Sequence, residues 1–557
     1  MWFKLIIVLV TVGGLAPLLM QLAGPDENVE LSKETTFIVK PLAEDGLPNY
    51  ALAILEKQRE GVTGENNAAP DCWRAMGLGG IEPELFALVC EDLQIDPTSI
   101  DESQFLVDPE SDEVAARLAK WFGKRPSAEH AEAAAAEAGD INQEKQSFEQ
   151  LAEATSILQV IQKRPWTAEQ FPPVAEWLAE NNAPLDQLVV ASKKPRFYSA
   201  PPNLLLDANT AVVDLLLPHA QQMRTAARGL SARAMHRTAL GQYDLAWEDS
   251  LACWRLGQLI GNDPMLVERL VGIALRQVAR QTTLAILQSN NLPKPVAEQM
   301  LADLTSLQSS IDIAASIDWS ERLTFLDSAL RYTTDRLGGA SDISDDERLI
   351  PHGAIDPNVP LQIGNDWYDR IAVAVSVGDW QQRRRAIDKV DADLSHMGAG
   401  VKGKMLQGVF SRSVRSQWVG EIFVAFLVPA LHAAIEADER DQIYMQLTRI
   451  AAALAIYRAM HGEYPAALAE LAKSNVIARV PHDPYTDREF VYQRRADGYL
   501  LYSLFQNGKD DGGSDFINPI VNGEWTAEVE FNRPALDECD LVIRVPQPPL
   551  PAVAPEK

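Results

Sequence analysis

The sequence predicts a mainly α protein, a multi-helix body with helical hairpins, that ends in a C-terminal α+β module with a small antiparallel sheet. Three observations lead there. Apolar residues recur three and four apart through much of residues 49–437, the spacing that lines one face of an α-helix. Near the C-terminus the pattern changes to "EFVYQRR", "ADG" and "YLLYSL", two β-rich runs joined by a three-residue turn that contains Gly498. Finally, 46% of the 557 residues are hydrophobic, which supplies packed cores and excludes a disordered chain.

Residues 1–24 read as a signal or membrane anchor. One Lys4 precedes an uncharged run from Leu5 to Ala23, long enough to span a bilayer. Gln21 and Ala23 fit a cleavage site poorly, so an uncleaved anchor is expected, with a cleaved export signal as the alternative. Lys4 before the run and Asp26 and Glu27 after it place the body outside the cytoplasm. The chain carries 78 acidic and 50 basic residues, a formal charge of −28. Such a charge repels phosphate backbones, so nucleic acid is not an expected partner.

Residues 25–48 form a linker. In the N-terminal helical region, 49–200, "YALAILEKQRE" and "EPELFALVCEDL" read as short packed helices, "AEHAEAAAAEAGD" as a solvated helix, and Trp177 and Leu178 share one side of a Pro-entered helix. The central helical domain, 201–437, contains a hairpin that turns at Gly241 and sends Ala246, Cys253 and Leu256 inward. Gly241, Tyr243 and Ala246 resemble the middle of a tetratricopeptide repeat, but no second copy stands at the repeat period. A polar connection is expected between Gly338 and Asp366, with helices resuming at Trp367. The apolar run Trp418–Ile435 contains Glu421, Pro429 and His432, which favours a buried helix over a second span.

The four cysteines are Cys72, Cys90, Cys253 and Cys539. In an oxidising compartment Cys72 and Cys90 are the pair nearest in sequence and the candidate disulfide; free buried thiols are the alternative. "GAGVKGKM" at 398–405 imitates a nucleotide-binding loop, with Gly398, Gly403 and Lys404 in place. Met405 stands where a magnesium-holding Ser or Thr belongs, and "QQRRRAIDKVDADLSHM" in front is helical rather than a strand. No nucleotide is expected there, and the glycines read as a helix-ending turn.

The module at 438–546 opens with a helix whose stripe runs through Ile443, Leu447, Ile450, Leu454, Tyr457 and Met460 and stops at Gly462 and Pro465. A short helix, the Pro481–Asp487 turn and the hairpin follow; "WTAEVEF" and "CDLVIRV" are further strands, and 547–557 is a Pro-rich tail. Directly after the hairpin, "NGKDDGGSD" crowds carboxylates among glycines. It is not an EF-hand, since a frame from Asn507 puts Lys509 third and Asn518 where a bidentate Glu is required. A metal-holding loop and a solvated turn both remain open on the residues alone.

The stretches "LVPALHAAIEADERDQIYMQLTRIAAALAIYRAMHGEYP", "VPHDPYTDREFVY" and "GYLLYSLFQNGKDDGG" arrive in the order helix, HG-x-YP turn, DP turn, tyrosine-rich hairpin, acidic glycine loop. This order resembles the soluble head of type II secretion pseudopilins, over roughly 427–515. The helical body is similar to anchored proteins of planctomycete-type bacteria. The resemblance implies calcium in the acidic loop, with Asp510, Asp511 and Asp515 as carboxylate ligands and Asn507 as a weaker one. It also implies envelope or secretion-system proteins as partners.

No G-x-S-x-G or H-E-x-x-H motif occurs, and the eight histidines are scattered. The expectation is therefore a membrane-anchored extracytoplasmic binding or scaffold protein, periplasmic in its body. An envelope hydrolase with an acid-lined cleft is the alternative.

Overall fold

The computed structural model describes residues 28–77, 79, 81–122, 154, 156–307, 313–334, 355–408, 411–513 and 540–547. The expected N-terminal anchor, the Ala-rich stretch and the strand at 525–531 lie outside them. Among the described residues no helix is long and apolar enough to cross a membrane.

The chain is mainly helical. Helix α1 (Tyr50–Arg59) starts where the Asn49 side chain accepts the Leu52 N–H at 2.9 Å, satisfying one of the donors a helix leaves open at its start. Proline stands in the first turn of α2 (Ala69–Met76), α3 (Pro83–Asp92) and, past α4 (Asp112–Phe122), of α5 (Pro172–Ala191). Its missing N–H costs nothing there, and its fixed φ favours the helix. The short α6 (Pro202–Leu206) leads into α7 (Pro218–Ala239), α8 (Tyr243–Gly261) and α9 (Leu266–Leu287), which pack as a sequential antiparallel layer. The hairpin turn at Gly241 has φ +73°, a conformation that glycine adopts without a Cβ clash. Between α8 and α9 the backbones touch. A Cβ on Gly272 would lie 2.5 Å from the Gly257 carbonyl oxygen, so this crossing requires glycine.

After α10 (Lys294–Ser306), the short α11 (Ile313–Ser316) passes through a π-turn at Ile317–Glu321 into α12 (Arg322–Thr333). Helix α13 (Asn358–Val375) begins nine residues before the expected restart at Trp367, because Asp356 and Asn358 already organise its first turn: Asp356 Oδ1 accepts the Asn358 N–H at 3.0 Å. Helix α14 (Trp380–Gly408) runs through Gly398, Gly403 and Lys404. The turn expected at 398–405 is thus replaced by continuous helix, glycine being costly there but tolerated.

Helix α15 (Arg412–His461) is 50 residues long and unites the molecule. The expected boundary at 437/438 falls inside it. Its first half buries Val424, Leu431 and Ile435 in a cluster with α1, α3, α12 and α13. Its second half buries Ile443, Leu447, Ile450 and Leu454 in another, with α5, α7, α8, α9 and α10. Met460, expected on the apolar stripe, is exposed. Gly462, at φ +80°, ends it.

The short α16 (Ala469–Lys473) is followed by the paired β1 (His482–Asp483) and β2 (Arg488–Glu489), then by the antiparallel sheet β3–β4–β5. Strand β3 (Val491–Arg494) pairs with β4 (Tyr499–Ser503) in the register Val491–Tyr502, and β4 pairs with β5 (Leu541–Val545) in the register Leu501–Ile543. Central β4 is buried throughout. Alternation divides it: Tyr499 and Leu501 join the core shared with α15, whereas Leu500 and Tyr502 pack with Val542 on the opposite face.

The disulfide expected between Cys72 and Cys90 is not formed. Both are buried free thiols, Cys72 in the cluster around α5 and Cys90 in the cluster around α1, so the two side chains serve separate cores. Burial raises the pKa of each, which makes them slow to react. Reducing agent should leave the melting temperature unchanged, and alkylation without denaturant should spare both; a melting temperature that falls with reductant would restore the bridge.

Candidate metal centre

The acidic loop leaves β4 at Ser503, and its exit is fixed from below. Asp483, 1% exposed, accepts the Ser503 hydroxyl at 2.8 Å, the Leu504 N–H at 3.1 Å and the Tyr485 N–H at 3.0 Å. One carboxylate therefore ties the β1 turn to the end of β4. Positive φ at Phe505, Gly508, Gly512 and Gly513 then curls the loop. Gly513 sits so near Leu500 that a Cβ would lie 2.8 Å from Cδ2.

Inside the loop, Asn507 Oδ1 accepts the Lys509 N–H at 2.8 Å, while its Nδ2 donates to Asp511 Oδ2 at 2.9 Å. Asp510 Oδ1 accepts the Gly512 N–H and the Tyr502 hydroxyl, both at 2.9 Å. Asn507, Asp510 and Asp511 are thus brought together by the loop's own bonds. Asp515 lies outside the described residues.

The residue that sequence reasoning missed is Asp540, which stands just before β5. It is 1% exposed, and its Oδ2 accepts the Gly513 N–H at 2.8 Å. Its Oδ1 is buried with no hydrogen bond of ordinary geometry among the described residues. Burial pushes its pKa up to about 6, with the Asp511 and Asp510 carboxylates adding repulsion and the backbone N–H groups of Gly513 and Asp511 opposing. Arg544 donates to the Gly513 carbonyl from the same strand and holds the loop's end against the sheet. A buried carboxylate oxygen with no donor is costly, and two further carboxylates nearby make a cation the natural complement. Among the described residues no three His, Cys, Asp or Glu side chains are arranged so that they could already hold a metal ion. Hydrogen bonds to Tyr502 and Asn507 occupy oxygens that a cation would use. Calcium takes backbone carbonyls and water beside carboxylates, so the donor set of this loop fits a hard cation in kind.

Two other polar clusters stand out, one buried in the body and one partly exposed. Gln58 Nε2 donates to Asp263 Oδ1 at 2.8 Å and to Glu268 Oε2 at 3.4 Å, and His219 Nε2 contacts Glu268 Oε1. Burial raises Glu268 to about 7, raises Asp263 well above the carboxylate range, and lowers His219 to about 4. Where α14 and α15 meet the C-terminal module, His432 lies 3.0 Å from Asp391 and 3.3 Å from Glu436, and Glu436 accepts from Gln506 at 3.2 Å.

An acid-bearing cleft of about 570 Å³ lies between α13 and α15, with Asp366, Asp369 and Glu421 beside Trp367. Two of its polar groups are already engaged: Asp369 pairs with Arg322 at 2.7 Å, and Glu421 accepts from Gln417 at 2.9 Å.

Comparison with known protein families, curated proteins and solved structures finds no match, so the pseudopilin likeness rests on the quoted motifs.

Proposed function

We propose that this chain is a membrane-anchored, extracytoplasmic scaffold of the bacterial envelope whose C-terminal, pseudopilin-like module is stabilised by calcium. The observation that carries the calcium part is Asp540, whose buried Oδ1 has no hydrogen bond of ordinary geometry among the described residues and lies in the electrostatic reach of Asp510 and Asp511. Asp510, Asp511 and Asp540 would hold the ion, with Asn507 and Asp515 as further donors. Calcium there supplies positive charge that joins the loop to β5; it takes no part in chemistry.

The scaffold part is supported by the apolar run at Leu5–Ala23 and by the single long helix that joins body and module. Envelope or secretion-system proteins are the partners this reading names. A tag at Lys557 should be reachable from outside the cytoplasmic membrane and remain membrane-associated. Recovery of the tag only in the cytoplasm would sink the scaffold reading, and release of a soluble form starting near Pro25 would convert the anchor to a cleaved signal.

The hydrolase alternative draws on the cleft between α13 and α15. Its Asp369 and Glu421 are engaged in structural contacts, so the binding reading is the better supported.

A further inference from the structure

A second cleft, of about 410 Å³, opens between α7, α9 and the segment around residues 159–163. Its lining differs in charge from the molecule as a whole. Lys163, Arg224 and Arg228 face it, with Glu110 as its carboxylate. Arg228 is engaged: its Nε donates to Asp108 Oδ1 at 3.0 Å and lies 3.8 Å from Glu110 Oε2. Glu110 Oε1 in turn accepts from Gln162 at 2.8 Å. Lys163 is different. It is partly buried, burial lowers its pKa while Glu110 opposes, and no hydrogen bond or ion pair of its Nζ occurs among the described residues. Arg224 has only a marginal 3.5 Å contact with Gln221.

Two cations without a firm partner, in a concavity, on a chain of charge −28, are a place where an anion is attracted although the surface at large repels it. The rest of the lining narrows the class. Gln159, Gln277 and Gln281 offer amides that both donate and accept, the match for hydroxyl groups. Ala227, Leu275 and Val278 give an apolar floor, the match for one face of a saturated ring. The volume is within the usual range for small-molecule sites.

We infer that this cleft binds a small hydroxylated organic anion of the sugar-acid class, its carboxylate taken by Lys163 and Arg224 and its hydroxyls by the glutamines. The cleft shares no lining residue with the acidic loop.

Calorimetric titration of the full chain in detergent with galacturonate, galactose and inorganic phosphate tests it. Galacturonate should bind, with galactose and phosphate each weaker by about tenfold or more, and Arg224→Gln and Lys163→Gln should each cost about tenfold, the worth of one charge-assisted hydrogen bond. Arg224 is exposed, so its variant keeps the fold and an unchanged melting temperature verifies this. The proposal is overturned if galacturonate gives no binding at concentrations on the order of 10 mM, if galactose or phosphate equals it, or if the Arg224 variant binds as wild type does.

Discussion

Asp249→Ala should destabilise the protein by about 3–5 kcal/mol. Asp249 is 0% exposed and Arg233 1%. The two are joined by bonds from Arg233 Nη2 to Asp249 Oδ1 at 2.7 Å and from Nε to the same oxygen at 3.1 Å. Arg237 donates to the other oxygen at 2.7 Å, and Arg233 reaches out to Asp186 at 2.7 Å. Burial raises the pKa of Asp249 against the opposing pull of both guanidiniums. Removing the carboxylate leaves the Arg233 charge with only the exposed Asp186 carboxylate and the Asn182 carbonyl as partners. The double variant Arg233→Met/Asp249→Leu should recover most of the loss, because the penalty comes from the unpaired charge rather than from the absent bond. Urea unfolding measures both; a loss under about 1 kcal/mol in the single variant would show that water reaches the pair.

Stability should fall as pH rises from about 4.5 to about 7, by an amount on the order of several kcal/mol. Burial raises Glu268, Glu321 and Asp438 to about 7 and Asp263 well above its ordinary range. For each, the folded state holds a proton that the unfolded chain releases near pH 4. Their contribution is complete below the unfolded pKa and is lost as pH climbs through the folded one. His219 acts in the opposite sense: lowered to about 4, it favours folding as pH rises from there to its ordinary value of 6.5. Four acids outweigh one imidazole. Self-repulsion of a chain at −28 pushes in the same direction, so the assignment needs a variant. Glu268→Gln should make the decline shallower. A urea midpoint at pH 8 equal to or above that at pH 5 would contradict the account.

How far the sequence was legible depends on whether a feature is local. The hairpin at Gly241, the β3–β4 hairpin at Gly498 and the helix stop at Gly462 could be read because periodicity and turn residues within a few positions determine them. The full length of α15 could not. Its apolar face moves from one core to the other near residues 435–443, so no single stripe runs along it and the change of face reads as a boundary. Asp540 was hidden for a different reason: it meets Gly513 across 27 residues of sequence, through a strand pairing that no local pattern announces. Likewise Lys163, Arg224 and Gln281 come from separate elements and form no motif. Nearness in sequence does not bring Cys72 and Cys90 together in space, because each helix turns its cysteine into a different cluster.

Calcium titration of the full chain in detergent, followed by calorimetry and by melting temperature, decides whether the acidic loop holds the ion. Calcium should bind at one site, and the melting temperature should rise with calcium and return with chelator, as linkage to the folded state requires. Asp511→Ala and Asp540→Asn should each weaken binding by about tenfold or more, while Arg224→Gln leaves it unchanged. A wild-type chain that gives no heat with millimolar calcium and melts at the same temperature with calcium or chelator would contradict it, leaving the acidic loop as a turn that ends a strand.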